Sequence, residues 1–326
     1  MRRILVTGAL GHIGSSLIRG LPPDGYDEVL LMDDLSTQRY CALFNLPREV
    51  PFRFIEADIC STPLERYFDG VEVVIHLAAI TNAVGSFEIQ DQVERVNFKG
   101  TELVARACLK TGSKLIFPST TSVYGTQAQV IDEDCSAEEL KPQSPYASSK
   151  LQAEQLLKEL GTNEGLKFFV ARFGTIFGTS SGMRFHTAIN KFCWQACTGQ
   201  PITVWRTALA QKRPYLDLGD AVRALDFVVE TNNFDNQIYN VLTTNVTVQE
   251  IVDLIRGHIP DVEISLVDSQ IMNQLSYTVS NDKFRKLGFD FQGQLTQGIA
   301  ETIHLIQGVS QSRLTKETSS AARMRK

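Results

Sequence analysis

Three side chains in this sequence can do chemistry together: Tyr146, Lys150 and Thr120. Tyr146 opens the run Tyr146-Ala147-Ser148-Ser149-Lys150, so phenol and ammonium lie one helical turn apart and share a helix face. A phenol with its ordinary pKa of about 10 is a poor base at neutral pH. A neighbouring ammonium favours the phenolate. The pKa then approaches the working pH, where general acid–base catalysis is most effective. Such a tyrosine takes a proton from an alcohol or sugar hydroxyl while hydride leaves the same carbon, and Thr120 holds that hydroxyl in line.

Tyr-x-x-x-Lys by itself is common, and a surface Tyr–Lys pair explains most occurrences. Position argues otherwise here. The hydroxyl-rich run Pro118-Ser119-Thr120-Thr121-Ser122-Val123-Tyr124-Gly125 comes directly after the apolar strand Lys114-Leu115-Ile116-Phe117. Ligands of open α/β sheets bind at such carboxyl ends of strands.

Upstream, Ile4-Leu5-Val6 reads as a strand buried on both faces, and Gly8, Gly11 and Gly14 open the next helix. Gly8 permits a tight turn, Gly11 lets backbone approach a pyrophosphate, and Gly14 lets helix and strand pack closely. The helix start offers free N–H groups and a positive dipole end to phosphate. A second strand, Glu28 to Met32, ends in Asp33-Asp34, at about the spacing expected of an acid that accepts from both ribose hydroxyls. Asp33 repels a 2′-phosphate, and Arg39 reads as too far along to replace it. NAD is therefore expected rather than NADP.

The elements that must position these groups alternate between strand and helix, the pattern of a doubly wound parallel α/β sheet. Phe52 to Glu56 is a third strand. Asp58-Ile59 beyond it suits either an adenine contact or a turn aspartate. Val71 to Ala79 is a fourth strand, whose small end, Leu77-Ala78-Ala79, suits passage of a cofactor. His76 within it reads as a satisfied core histidine. Glu88 to Gly112 reads as a long helix, interrupted on its apolar face by Asn97, which needs partners if buried. Lys167 to Arg172 is a sixth strand. Beyond it come helix Phe185 to Thr198, strand Ile202 to Trp205, and Lys212 to Leu218 returning to the sheet. Asp220 is expected to cap a helix to Glu230. Strand Ile238 to Leu242, helix Val248 to His258 and strand Glu263 to Val267 complete the pattern, and the polar tail beyond Gly308 is expected to be disordered.

The 326 residues are 43% hydrophobic, enough for a substantial core, and carry a formal net charge of −5 with no basic stripe. Nucleic acid is not expected as a partner on that balance. No apolar run reaches the roughly 18 residues a membrane span needs, and the start reads as a mature cytoplasmic N-terminus. None of the six cysteines forms C-x-x-C, so reduced thiols and no metal site are expected.

The ordered set Thr7-Gly8-Ala9-Leu10-Gly11-His12-Ile13-Gly14, Asp33, Asp58-Ile59, His76-Leu77-Ala78-Ala79, Asn97, Ser119-Thr120, Val123-Tyr124-Gly125, Tyr146 to Lys150, and Arg213 with Asp217 and Asp220 resembles a known family. This is the extended short-chain dehydrogenases/reductases, specifically their NAD-dependent nucleotide-sugar epimerase/dehydratase group. The resemblance implies a Rossmann-type domain from residues 1–174 and 213–242, and a smaller C-terminal α/β substrate-binding domain from 175–212 and 243–308, leaving 309–326 as a tail. It implies Thr120, Tyr146 and Lys150 as the catalytic set and backbone contacts from His12 and Ile13 to the cofactor pyrophosphate. It also implies that Arg213, with Thr121 and Thr175, meets a nucleotide-diphosphate sugar, a guanidinium fork suiting its diphosphate. A homodimer through the helices near 92–111 and 146–160 is a further implication.

Departures narrow the reaction. Members that dehydrate the sugar carry Asp-Glu directly after the catalytic Thr, and decarboxylating members keep a Glu at the second of those positions. Here they are Thr121 and Ser122, and neither is a carboxylic acid. Thr175 stands where many epimerases place Asn. Trp205 to Lys212 lacks the usual Gly-rich turn, and Leu275-Ser276-Tyr277 lacks a second phosphate-binding Arg. The expectation is a sugar C4 epimerase. The alternatives are a 4-keto-sugar reductase or dehydrogenase, and a non-catalytic NAD-binding regulator on the same fold.

Overall fold

The computed structural model describes residues 2–125, 130–268 and 276–307. Its centre is a seven-stranded sheet: β1 (Arg3–Thr7), β2 (Glu28–Asp33), β3 (Phe52–Glu56), β4 (Val73–His76), β5 (Lys114–Thr120), β6 (Phe168–Phe173) and β7 (Ile238–Val241). All neighbours are parallel, in the spatial order β7-β6-β5-β4-β1-β2-β3. The strands are buried on both faces because helices cover both. Ile4 and Val6 point into one apolar layer, beneath helices His12–Gly20 and Leu218–Thr231. Leu5 points into the other, beneath helices Gly100–Thr111 and Pro145–Glu164. This period-two alternation explains why the strands read as continuous apolar runs. The chain reverses its direction of travel across the sheet between β1 and β4. The carboxyl ends flank a crevice there, the place where open α/β sheets bind ligands.

The expected long helix runs from Gln90 to Thr111, with a π-helical turn at Glu94–Lys99. That wider turn lies where Asn97 points inward, fully buried.

The smaller half has its own core, with Phe177, Ile189, Ile251, Ile255, Ile299 and Ile303 among its buried residues. It contains a three-stranded sheet of Thr175–Phe177, Lys212–Asp217 and Thr244–Thr247, and a parallel pair, Ile202–Trp205 with Ile264–Val267. Two expectations are corrected here. Lys212–Asp217 does not return to the central sheet. It pairs with Thr175–Phe177 and Thr244–Thr247, because β7 already occupies the edge beside β6. Nor does Asp220 cap the helix in which it sits. Asp217 does, accepting from the N–H groups of Gly219 (2.8 Å) and Asp220 (3.2 Å). The fully buried Asp220 carboxylate instead accepts from Thr243 Oγ1 (2.6 Å) and from Gln292 N (2.9 Å) and Gly293 N, tying a distant loop to the helix. The tail beyond Gly308 and the departure at Leu275 lie outside the described residues. No described helix is long and apolar enough to cross a membrane.

Candidate active site

Helix Pro145–Glu164 starts cleanly. Ser144 accepts from Ala147 N (3.2 Å), and Pro145 occupies the first turn, where its missing N–H costs nothing. Three successive turns present Tyr146, Lys150 and Glu154 to the end of β5. Tyr146 meets the Thr120 hydroxyl. Lys150 Nζ donates to Pro118 O (2.9 Å) and stands 4.4 Å from the Phe117 ring centroid. Glu154 accepts from Ser119 Oγ and pairs with Arg172 at 2.6 Å. Arg172 lies directly across from Ser119 on β6 and donates onward to the Tyr124 hydroxyl (2.9 Å). The three expected catalytic residues therefore converge, on a buried polar ladder beneath them.

Their acid–base balance is not the one expected. Burial pushes the Tyr146 phenol up to about 12, against the Thr120 hydrogen bond and the positive charge of Arg184, which act downward. Burial also brings Lys150 down to about 7, and the Glu154 charge only partly offsets this. Desolvation disfavours charge of either sign, so both groups move toward their neutral forms. Bound NAD would supply the hydride acceptor and a positive ring, the added charge that a phenolate here requires.

The cofactor crevice begins at the glycine turn. Gly8 has φ +64°, and a Cβ there would lie 2.6 Å from Ala78 N, so the turn packs directly on the end of β4. Gly11, the residue before the helix, has no side chain with which to cap the helix's first N–H groups. A Cβ on Gly11 would meet only Gly8 O within contact range, so the turn is open on that side. Uncapped N–H groups beside open backbone fit a diphosphate. Gly8, Gly11, His12, Ile13 and Gly14 would hold it. Asp33, at the end of β2, accepts from Leu10 N (3.1 Å) and Leu35 N (3.0 Å), which fixes its carboxylate beside the glycine turn.

Asp58 makes a turn hydrogen bond and an ion pair at the end of β3. It accepts from Cys60 N (2.8 Å) and pairs with Arg95. Ile59 is buried, packed where a Cβ on Gly100 would fall. Leu77, Ala78 and Ala79 leave β4 under the control of Thr7, whose carbonyl accepts from Leu77 N (3.0 Å) and whose Oγ1 accepts from Ala78 N (3.3 Å). Thr101 donates its one proton to Asn97 O (2.6 Å), so its Oγ1 accepts from His76 Nε2–H (3.1 Å), and His76 Nδ1 is left to accept from the Thr7 hydroxyl (2.7 Å). That chain uses both ring nitrogens of a neutral imidazole, and burial lowers the His76 pKa to about 3. The expected core histidine is thus satisfied. Asn97 exchanges two hydrogen bonds with the Ile80 backbone (2.8 and 2.9 Å) and reaches Ser149 Oγ (3.3 Å), joining the crevice floor to the catalytic helix.

On the side facing the smaller half, Thr121 Oγ1 donates to Phe173 O (3.3 Å), and the Tyr277 hydroxyl lies 3.4 Å away. Arg213 stands on strand Lys212–Asp217 with Nη2 on Gln211 Oε1 (3.2 Å), and its charge acts on Tyr277. Thr175 pairs across from Tyr215. Thr121 and Arg213 therefore belong to one cluster through Tyr277. Sequence reasoning missed Tyr277, Glu154 and Arg184 as parts of this region. Glu154 was signalled by its spacing, one further turn after Tyr146 and Lys150; the other two carried no local signal.

The family model of the NAD-dependent epimerase/dehydratase family matches residues 4–241. Among curated proteins, the chain is 28% identical over 321 residues to an Arabidopsis thaliana trifunctional UDP-glucose 4,6-dehydratase/epimerase/reductase, covering 93% of this chain and 47% of that protein. It thus spans about half the length of the first curated relatives it matches. It is 29% identical to an uncharacterised UDP-glucose epimerase, YtcB, of Bacillus subtilis, over 73% of this chain and 76% of that one. Among solved structures it superposes with a TM-score of 0.80 on Thermus thermophilus UDP-glucose 4-epimerase in complex with NAD, at 26% identity over 94% of this chain and 99% of that chain. The TM-score is also 0.80 with MoeE5 in complex with UDP-glucose and NAD, at 26% identity over 93% of this chain and 97% of that chain. With crevice, glycine turn and Thr–Tyr–Lys set in place, and the family model spanning most of the chain, this protein belongs to the NAD-dependent epimerase/dehydratase family.

Proposed function

We propose that the protein is a nucleotide-sugar 4-epimerase acting on a UDP-sugar with retained NAD. Tyr146 takes the proton of the sugar's C4 hydroxyl as hydride leaves that carbon, and Thr120 aligns the hydroxyl. Lys150, anchored on Pro118 O one turn from Tyr146, favours the phenolate in its own protonated form, which burial makes less available. Arg213 meets the sugar nucleotide's diphosphate. Hydride then returns to the other face of the C4 ketone, and Tyr146 gives its proton back. The observation that carries this reading lies in the two residues after Thr120. Thr121 is tied to Phe173 O and Tyr277, and the amide of Ser122 bonds back to Thr120 Oγ1 (3.1 Å). These are hydroxyl side chains at both positions where elimination or decarboxylation calls for carboxylates. The UDP-glucose 4-epimerase of similar fold supports the same reading.

The test is incubation of the purified protein with UDP-, GDP- and dTDP-hexoses and uronic acids, with products resolved by NMR and no NAD added. A C4 epimer from a UDP-sugar is expected. Net NADH formation without an epimer would mean a dehydrogenase, and unchanged turnover in Tyr146→Phe would remove the assigned base; a loss of about 10²–10⁴-fold is expected. We also propose a homodimer through the helices Gly100–Thr111 and Pro145–Glu164. Leu103, on the first of them, is 43% exposed. Gel filtration at low concentration tests this.

A further inference from the structure

The segment after strand Thr175–Phe177 lies directly on the glycine turn. Ser180 Oγ donates to His12 O (3.0 Å), Gly182 N donates to Ser15 Oγ (2.9 Å), and Arg184 N donates to His12 Nδ1 (3.3 Å). A Cβ on Gly182 would stand 2.4 Å from Gly11 O, so only glycine lets the two backbones lie this close. From this seat the Arg184 side chain crosses to the segment leaving β4, where Nη1 donates to Thr81 Oγ1 (2.7 Å). Arg184 therefore spans both walls of the crevice: the glycine-turn helix and the post-β4 segment.

Its surroundings are those of a cation awaiting an anion. The charged groups acting on it are Arg39 and Asp33, with Tyr146 on the catalytic side. Among the described residues, buried Arg39 Nη1 has no hydrogen-bond partner, and neither has His12 Nε2. His12 accepts the Arg184 amide at Nδ1, and burial, together with the charges of Arg184 and Arg39, brings its pKa to about 4. The imidazole is therefore neutral, with its proton on the unpartnered Nε2. Two guanidiniums and this donor gather beside the uncapped N–H groups of the helix start. A dinucleotide reaching from Asp33 to Tyr146 must pass Arg184 with its middle, and that middle is its diphosphate.

We infer that Arg184 is a ligand of the cofactor diphosphate. It is carried by a strap that closes on the glycine turn, with Arg39 as a supporting cation. The N–H groups of the turn hold the diphosphate from one side, and the strap adds a planar fork of donors. This rests on a dinucleotide filling the crevice, not on which sugar is turned over or in which direction.

The experiment measures binding rather than turnover. NAD bound per chain is quantified in purified wild type, Arg184→Met, Arg184→Lys, Arg39→Met and Thr81→Val. Stripped protein is then titrated calorimetrically with NAD, ADP-ribose and adenosine. Arg184→Met is expected to weaken NAD and ADP-ribose by about 10- to 100-fold, the range of charge-assisted hydrogen bonds, and to change adenosine by less than about twofold. Arg184→Lys should recover part of the loss, keeping charge without the fork. Thr81→Val should weaken NAD by about 3- to 10-fold, again sparing adenosine. If Arg184→Met does not fold, the NAD-to-adenosine ratio in Thr81→Val and Arg39→Met decides. NAD affinity within twofold of wild type overturns the inference. So does equal weakening of adenosine, the mark of a merely structural strap. None of the titrations contains sugar, so failure here is separable from failure of the epimerase assignment.

Discussion

Replacing Glu154 by Gln tests how the buried ladder serves the catalytic pair. The Glu154 and Arg172 side chains are 2% and 3% exposed. Arg172 reaches the carboxylate through Nε (3.0 and 3.2 Å) and Nη2 (2.6 Å). Gln keeps the shape but leaves the guanidinium buried without its carboxylate, which costs about 3–5 kcal/mol in urea unfolding. Replacing both residues by well-packed apolar ones should recover most of that loss, because neither desolvation penalty then remains. A second effect reaches Lys150, one turn away, whose positive form the Glu154 charge favours. At about 6 Å and an effective dielectric of about 20, the lost attraction is about 2–3 kcal/mol. That corresponds to about two pH units for the ammonium. Removing an anion beside a cation lowers the cation's pKa, so the ammonium is lost at lower pH. The alkaline limb of kcat/KM should move toward acid by that amount in Glu154→Gln. The assay is epimer formation between about pH 4.5 and 9, bracketing the Lys150 pKa of about 7 and its acid-shifted value, run below the variant's unfolding temperature. A destabilised variant whose pH profile superimposes on wild type would refute the electrostatic link. A variant as stable as wild type would refute the buried-charge argument itself.

Gly8→Ala puts a Cβ 2.6 Å from Ala78 N at φ +64°; it should cost at least about 2 kcal/mol in unfolding and abolish NAD retention, measured by denaturation and nucleotide release. Thr120→Val removes the hydroxyl that meets Tyr146; kcat should fall about 10- to 100-fold while bound NAD stays near one per chain. His76, with a folded pKa of about 3, takes up a proton in the unfolded chain first. Stability should therefore fall as pH drops from about 6.5 toward 3, by up to about 1.4 kcal/mol per unit. His76→Asn should show a correspondingly shallower loss between pH 6.5 and 4.5, and equal slopes in urea titrations would count against the burial argument.

Much of the architecture is legible along the chain because its causes are local. Ile4-Leu5-Val6 is apolar throughout since helices cover both faces of β1. The glycines fall at intervals that one turn and one helix start impose, and Tyr146 and Lys150 are separated by one helical turn, whatever the rest of the fold does. The alternation of strand and helix, the cofactor class and the shared face of Tyr146 and Lys150 come from such short-range spacing, whereas the strand order and the meeting of Thr120 with Tyr146 come from the fold. So does the place of Lys212–Asp217. Its apolar pattern suits any sheet, and only competition for the edge beside β6 assigns it to the smaller one.

What the sequence determined by itself is therefore the frame and the choice of side chains proposed to react. Tertiary structure alone decided their energetics and their long-range partners. Arg184 meets Thr81 across 103 positions and His12 across 172, contacts no periodicity can register. The spacing of Tyr146 and Lys150 predicted an acidified phenol. Burial instead raised the phenol and lowered the ammonium. The physical reason is that a charge's cost depends on the water it has lost, and that loss is set by everything packed around it rather than by its neighbours in the chain.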